Sequence, residues 1–251
     1  HMDLVVFPEL VLTGYPPEDL LLRPAFMDEV EGAVQHIIAQ SHQTIVIFGA
    51  PRRDGNQLKN SAFIAHCGKL VGIYDKQKLP NYGVFDEQRY FVAGDGLQSV
   101  FEVGDWRIGI GICEDLWHDA LAVQQENLAC DVWLNLNASP FQCDKQYERE
   151  ALTSRRAIQF SVPLVYVNPV GGQDEIVFDG GSHVMGADGQ LLLRAPLFID
   201  GLHDFDFATH QDAHICEIPE YIEQIHHALV LGVKEYVLRN GRSQVVLGFS
   251  G

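Results

Sequence analysis

Short apolar runs recur along the chain, rich in β-branched and aromatic residues and bounded by turn residues. They are LVVF (4–7), TIVIFGA (44–50), SAFIAH (61–66), RIGIGIC (107–113), VWLNLN (132–137) and PLVYVN (163–168), and this patterning predicts strands. Between some of them, residues 26–40, 119–129 and 145–160 carry an apolar stripe at helical spacing. Strands alternating with helices predict layered α/β packing. The segment HDFDFATHQDAH (203–214) breaks the alternation. IPEYIEQIHHALVLGVKEYVLRNG (218–241) then reads as a helix, with Pro219 at an early position and Asn240-Gly241 at its end. The pattern therefore predicts a main domain over residues 3–210, and a linker with a connecting helix over residues 211–251. Gly171-Gly172 and Gly180-Gly181 read as turns, because no lysine-serine pair or helix follows at phosphate-loop spacing.

Composition narrows the function classes. The chain has 251 residues, 47% of them hydrophobic, enough for a sizeable core and against disorder. Its formal net charge of −17 opposes binding to nucleic acid or to anionic membranes. No stretch approaches a membrane span and no secretory signal is visible. The five cysteines are odd in number and irregularly spaced, with no CxxC. That argues against a disulfide framework or a structural zinc site and fits a reducing cytoplasm. His1-Met2 reads as a cloning remnant.

The stretch GIGICEDLW (109–117) carries the sharpest chemical question. Cys113 ends an apolar run just before a helical segment, where a nucleophile can be exposed and backbone N–H groups can face a developing oxyanion. The adjacent Glu114 and Asp115 oppose thiolate formation, and a small buried cysteine is an equally ordinary reading of the motif. Two residues could supply activation. Glu9, between apolar residues after Pro8, is placed for the raised pKa of a general base, or is a surface turn residue. Lys76, in GIYDKQKLPNYG, could favour a thiolate and stabilise an anionic intermediate, or is a solvated loop charge.

Four separated motifs, FPELVLTGYPPEDLL, YDKQKLPNYGVFDEQRYF, GIGICEDLW and VNPVGGQDEIVFDG, resemble the nitrilase (carbon–nitrogen hydrolase) superfamily. Within it they are most similar to the amidase domains of glutamine-dependent NAD+ synthetases. The resemblance implies an α-β-β-α sandwich followed by the C-terminal connecting helix. It implies Glu9 as general base, Lys76 rather than Lys78 as catalytic lysine, and Cys113 as nucleophile. Tyr15, Tyr82, Glu114 and Trp117 match positions lining a glutamine pocket, Glu114 suiting the α-ammonium. Ser139 and Lys145 match contacts to the amino-acid end of the substrate. The implied substrate is L-glutamine, with no metal or cofactor in this domain. ATP and Mg2+ are expected in a synthetase domain of the same polypeptide. LVLGVKEYVLRNGRSQVVLGFSG resembles the join to that domain, whose pyrophosphatase loop is not completed by Gly251. The family's strand and helix preceding the Glu9 strand have no counterpart here, so part of the sandwich is expected to be missing. The resemblance also implies a homo-oligomer.

Three other readings compete. Eleven histidines make a cysteine–histidine enzyme conceivable, with His66, His118 or His183 as partner of Cys113. His203, Asp204, Asp206, His210 and His214 could form a metal-binding or interaction module, although their spacing matches no ligand motif. An amidase for another small amide would keep the same trio and change only the pocket.

Overall fold

The computed structural model describes residues 2–96, 98–125, 128–210 and 213–249. His1, Ser250 and Gly251 therefore lie outside the described residues, as do positions 126–127 of the 119–129 segment and 211–212 of the 203–214 segment. The strands are β1 (Leu4–Val6), β2 (Ile45–Asp54), β3 (Gln57–His66), β4 (Lys69–Asp75), β5 (Val100–Val103), β6 (Trp106–Ile112), β7 (Val132–Leu136), β8 (Leu164–Val167), β9 (Val170–Gln173), β10 (Ile176–Asp179), β11 (His183–Met185) and β12 (Leu191–Arg194). The helices are α1 (Pro24–Gln40), α2 (Asp119–Gln125), α3 (Lys145–Phe160) and α4 (Tyr221–Arg239).

One sheet has the order β1-β2-β3-β4 and a second the order β12-β11-β8-β7-β6-β5. β6, β7 and β8 run parallel in the second sheet, and β1 runs parallel to β2 in the first. The inner faces meet in one core: Ile45, Ile47, Ala62, Ile64 and Tyr74 pack with Ile108, Ile110, Ile112, Val132, Leu134 and Leu136. Alternation in β6 explains this, since Ile108, Ile110 and Ile112 face that core while Gly109 and Gly111 lie against the Trp133 ring. Val30, Val34 and Ile38 of α1 cover the outer face of the first sheet through Phe48, Ala50, Phe63 and Ala65. Leu152, Ala157 and Phe160 of α3, with Ala122 of α2, cover the second through Trp133, Leu164, Tyr166 and Met185. The layers are thus α-β-β-α, as the family resemblance implies. Each fully buried aliphatic side chain contributes about 1.5–3 kcal/mol to holding them together.

Several expectations need correction. Residues 128–129 are not helical, so α2 ends earlier than the 119–129 stripe predicts. Gly171 and Gly172 are strand residues of β9 rather than a turn. At Gly172 the lack of a side chain has a packing reason, because a Cβ there would lie 3.2 Å from Glu235 Cβ on α4, and at Gly171 the reason is the backbone, whose φ of 148° disfavours a side chain. β4, β5 and β9 to β12 escape the apolar-run reading, being short or interrupted by polar residues. α4 is docked on β9 and β10 while its other side presents Leu229, Val233 and Tyr236 to solvent.

Candidate active site

The ends of β1, β4, β6 and β7 bring together side chains that are far apart in sequence. After β1 the chain crosses between the two sheets. Gly49 N–H donates to Pro8 O at 3.2 Å, and Glu9 N–H donates to Asn137 O at 3.2 Å. Gly49 makes this passage possible, since a Cβ there would come within 2.3 Å of Leu10 N and 2.7 Å of Glu9 Cα. Glu9 is consequently buried. Its Oε1 accepts from Lys76 Nζ and from Asn60 Nδ2, both at 2.7 Å, and its Oε2 accepts from Ala138 N–H at 3.0 Å.

Lys76 follows β4 directly and is fully enclosed. Its ammonium donates to Glu9 and, also at 2.7 Å, to Glu87 Oε1. Burial works against the ammonium, but the two carboxylates outweigh it and hold the Lys76 pKa well above the usual lysine value. Glu87 also accepts a hydrogen bond from Tyr15 OH at 2.8 Å. Burial, with Glu9 adding repulsion and Lys76 opposing, pushes the Glu87 carboxyl up to about 7. Its Oε2 has no hydrogen-bond partner among the described residues. Tyr15 stays a neutral phenol, its pKa raised well above 10 by burial and then by Glu87.

Cys113 is not the last residue of a strand but the first of a short 3-10 turn, Cys113–Trp117, with φ of 45°. A non-glycine residue in that left-handed region is strained. Asp115 holds the turn. Its carboxylate accepts from Ile112 N–H (3.1 Å) and Tyr74 OH (2.8 Å), and from Gln77 N–H (3.1 Å) and Lys78 N–H (2.8 Å) in the loop that carries Lys76. Burial pushes Asp115 up to about 6 even so. The Cys113 thiol is driven well above its ordinary pKa by burial and then by Glu9, while Lys76 and the Ala138 N–H oppose this. The resting sulfur is therefore a thiol, and the charges acting on it most strongly, Glu9 and Lys76, are of the types that could deprotonate it and hold an anion.

Toward the surface, Tyr82 OH donates to Glu114 Oε2 at 3.0 Å. Burial and then this hydrogen bond push Tyr82 up to about 12. His118 Nε2 lies 3.4 Å from Glu114 Oε1. Lys145 Nζ sits 4.6 Å from the centre of the Trp117 ring and 2.7 Å from Glu148 Oε2. Ser139 is buried, its hydroxyl accepting from Arg149 Nε at 3.1 Å and its N–H donating to Asn168 Oδ1 at 2.8 Å. Arg149 is in turn paired with Asp179 at 2.9 Å. So Glu9, Lys76 and Cys113 are assembled together, with Tyr15 bound to the same cluster through Glu87. Tyr82 and Glu114 form one rim pair and Trp117 and Lys145 another. Ser139 follows Ala138, whose N–H holds Glu9.

The other sequence candidates do not join the thiol. His66 lies 3.5 Å from the exposed Cys67, and His183 is buried against Thr153 and the Gly181 carbonyl. Asp206 caps its own turn at Ala208 and Thr209. Among the described residues no group of three or more His, Cys, Asp or Glu comes together as a metal site. Asn60, Glu87 and Asp115 went unassigned in the sequence. For Glu87 the one local sign was a carboxylate inside the FDEQRYF motif.

An α-β-β-α sandwich with a carboxylate, an ammonium and a thiol at converging strand ends defines a hydrolase of carbon–nitrogen bonds. The chain matches the carbon-nitrogen hydrolase family over residues 1–211 and belongs to it. It is 38% identical over 256 residues to the glutamine-dependent NAD(+) synthetase of Acinetobacter baylyi, a match spanning all of this chain but 47% of that protein. The structure superposes with TM-score 0.88 on glutamine-dependent NAD+ synthetase from Acinetobacter baumannii, at 37% identity, covering 95% of this chain and 46% of the other. A carbon-nitrogen hydrolase from Helicobacter pylori G27 superposes with TM-score 0.67 at 25% identity, covering 77% of this chain and 73% of that one. The chain thus spans about half the length of the synthetases it matches. Among the described residues no helix is long and apolar enough to cross a membrane.

Proposed function

We propose that this chain hydrolyses the side-chain amide of L-glutamine, releasing ammonia. The observation that carries the reading is the buried Glu9–Lys76–Glu87 cluster acting on Cys113, with the Glu114–Tyr82 pair near enough for Cys113 and Lys76 to act on Tyr82. Glu9 takes the thiol proton as substrate arrives, and the sulfur attacks the amide carbon. Lys76 and the Glu114 backbone N–H hold the oxyanion. Glu9 returns its proton to the departing ammonia, and water then cleaves the thioester to glutamate. Glu87 keeps Lys76 protonated and in place. Glu114 takes the α-ammonium of glutamine, and Ser139, Trp117 and Lys145 border its amino-acid end.

Similarity to glutamine-dependent NAD(+) synthetases supports a destination for the ammonia. It would pass to an ATP- and Mg2+-dependent synthetase domain of the same polypeptide, converting deamido-NAD+ to NAD+ in the cytoplasm. The hydrolase half itself needs no metal or cofactor, and a homo-oligomeric assembly fits the family. An amidase for another small amide is the second reading. Glu114 favours glutamine over it, because a carboxylate at the mouth suits an α-amino substrate. The test is glutamate and ammonia formation from glutamine by wild type and Cys113→Ala. Release by wild type alone supports the proposal. Release by both would remove Cys113 from the reaction.

A further inference from the structure

We infer that His118 competes with the substrate's α-ammonium for Glu114, so that binding of an α-amino amide weakens as the imidazole takes a proton. The inference rests on the reading of Glu114 as the ammonium acceptor. Both oxygens of Glu114 are already addressed. Oε2 accepts from Tyr82 OH at 3.0 Å, and Oε1 faces His118 Nε2 at 3.4 Å. A phenol that stays neutral leaves the carboxylate charge available to a ligand. An imidazole is different, because it gains a positive charge when it takes up a proton. The Glu114 side chain is 16% exposed and the His118 side chain 44%, so the imidazole is open to solvent protons while its partner is half withdrawn.

The charged groups around this pair are otherwise committed. Asp119, the next residue, is bound by Arg156 of α3 at 2.6 Å. Asp115 turns inward to Tyr74 and the backbone N–H groups of Ile112, Gln77 and Lys78. Lys145 of α3 lies over Trp117 and pairs with Glu148. Lys76 is enclosed between Glu9 and Glu87. Among the described residues, His118 is the ion-pair partner of Glu114. When neutral, it leaves one net negative charge at the mouth. When protonated, it cancels that charge and places a cation where the ammonium must come.

The experiment is calorimetric titration of L-glutamine into Cys113→Ala, which binds without turnover, and into C113A/H118Q, at about pH 8 and about pH 5.5. Glutaramate, the same amide without the amino group, is titrated in parallel. Glutamine should bind about threefold to tenfold more weakly to Cys113→Ala at the acid pH. C113A/H118Q should bind it equally at both, and glutaramate should lose nothing on acidification. Equal pH dependence in the two variants, or the same loss with glutaramate, overturns the inference. No glutamine binding at either pH overturns it together with the assignment of Glu114. If the pH split is present but wild type releases no ammonia, the proposed reaction fails and the role of His118 stands.

Discussion

Lys76 and Glu87 form an enclosed ion pair at 2.7 Å, and the same Glu87 oxygen accepts from Tyr15 at 2.8 Å. Lys76 is thereby held between two carboxylates rather than paired with one. Two carboxylates sharing one cation cannot both be fully ionised at low cost in a buried site. Burial first, and then repulsion from Glu9 against the pull of Lys76, push the Glu87 carboxyl up to about 7. Replacing Glu87 by Gln keeps the shape and removes the second charge. The fold should survive with a change of about 1 kcal/mol or less, while kcat falls by about 10²–10³-fold. The wild-type kcat/KM profile should also show a transition near neutrality that Glu87→Gln lacks. Steady-state ammonia release across pH, with thermal melts alongside, checks both.

Lys76→Ala removes the only cation of the described cluster and leaves Glu9 and Glu87 facing each other in a dry site. The expected loss is about 3–5 kcal/mol of stability at neutral pH, with turnover abolished. Because the penalty comes from buried carboxylates, acidification toward their protonation should restore part of the stability. Urea unfolding at two pH values measures this. A loss of activity with no loss of stability would contradict the enclosed arrangement.

Asp115→Ala should act on Cys113 without touching it. The change strands three backbone N–H groups and the Tyr74 hydroxyl, at about 1 kcal/mol or more for each buried donor. The strained turn at Cys113 loses its anchor to the Lys76 loop. Expected outcomes are a lower urea midpoint and slower acylation, read by mass spectrometry of the thioester intermediate. Asp115→Asn, which can accept through one oxygen, should fall between wild type and Asp115→Ala.

His183 sets a pH dependence of stability independent of catalysis. Its ring stacks on Tyr166 at 4.8 Å, Nδ1 lies 2.9 Å from the Gly181 carbonyl, and Nε2 lies 2.8 Å from Thr153 Oγ1. Burial lowers its pKa from 6.5 to about 4. The unfolded chain therefore binds a proton below pH ~6.5 that the folded chain refuses until about pH 4. Its stabilisation is present above the unfolded value and is lost as pH falls through that window, by up to about 3 kcal/mol. Comparing urea midpoints of wild type and His183→Asn between about pH 7 and pH 4 isolates this term. The wild-type slope should be steeper by that amount.

Much of the scaffold was legible because burial writes a local code. β6 alternates isoleucine with glycine, and α3 carries its apolar stripe from Leu152 to Phe160. Such periods survive in the sequence because each neighbouring residue faces a different layer. β9 was misread for the converse reason. Gly171 and Gly172 look like turn residues, and only the approach of α4 to Gly172 and the positive φ of Gly171 show why a strand lacks side chains there. The candidate trio Glu9, Lys76 and Cys113 came from motif resemblance rather than from spacing, and each of its members had an ordinary alternative on local grounds.

What the sequence determined by itself was the alternation of strands and helices, the acidic surface and the three chemical types available for an amide-cleaving site. Tertiary structure alone decided that Glu9 meets a lysine 67 positions away and a backbone N–H 129 positions away. It likewise decided that Glu87 completes the cluster, that Asp115 ties the Cys113 turn to the Lys76 loop, and that His118 rather than a lysine faces Glu114. The physical reason is that periodic burial is a property of neighbouring residues. Charge pairing in a buried site depends instead on which strand ends converge, and no local pattern records that.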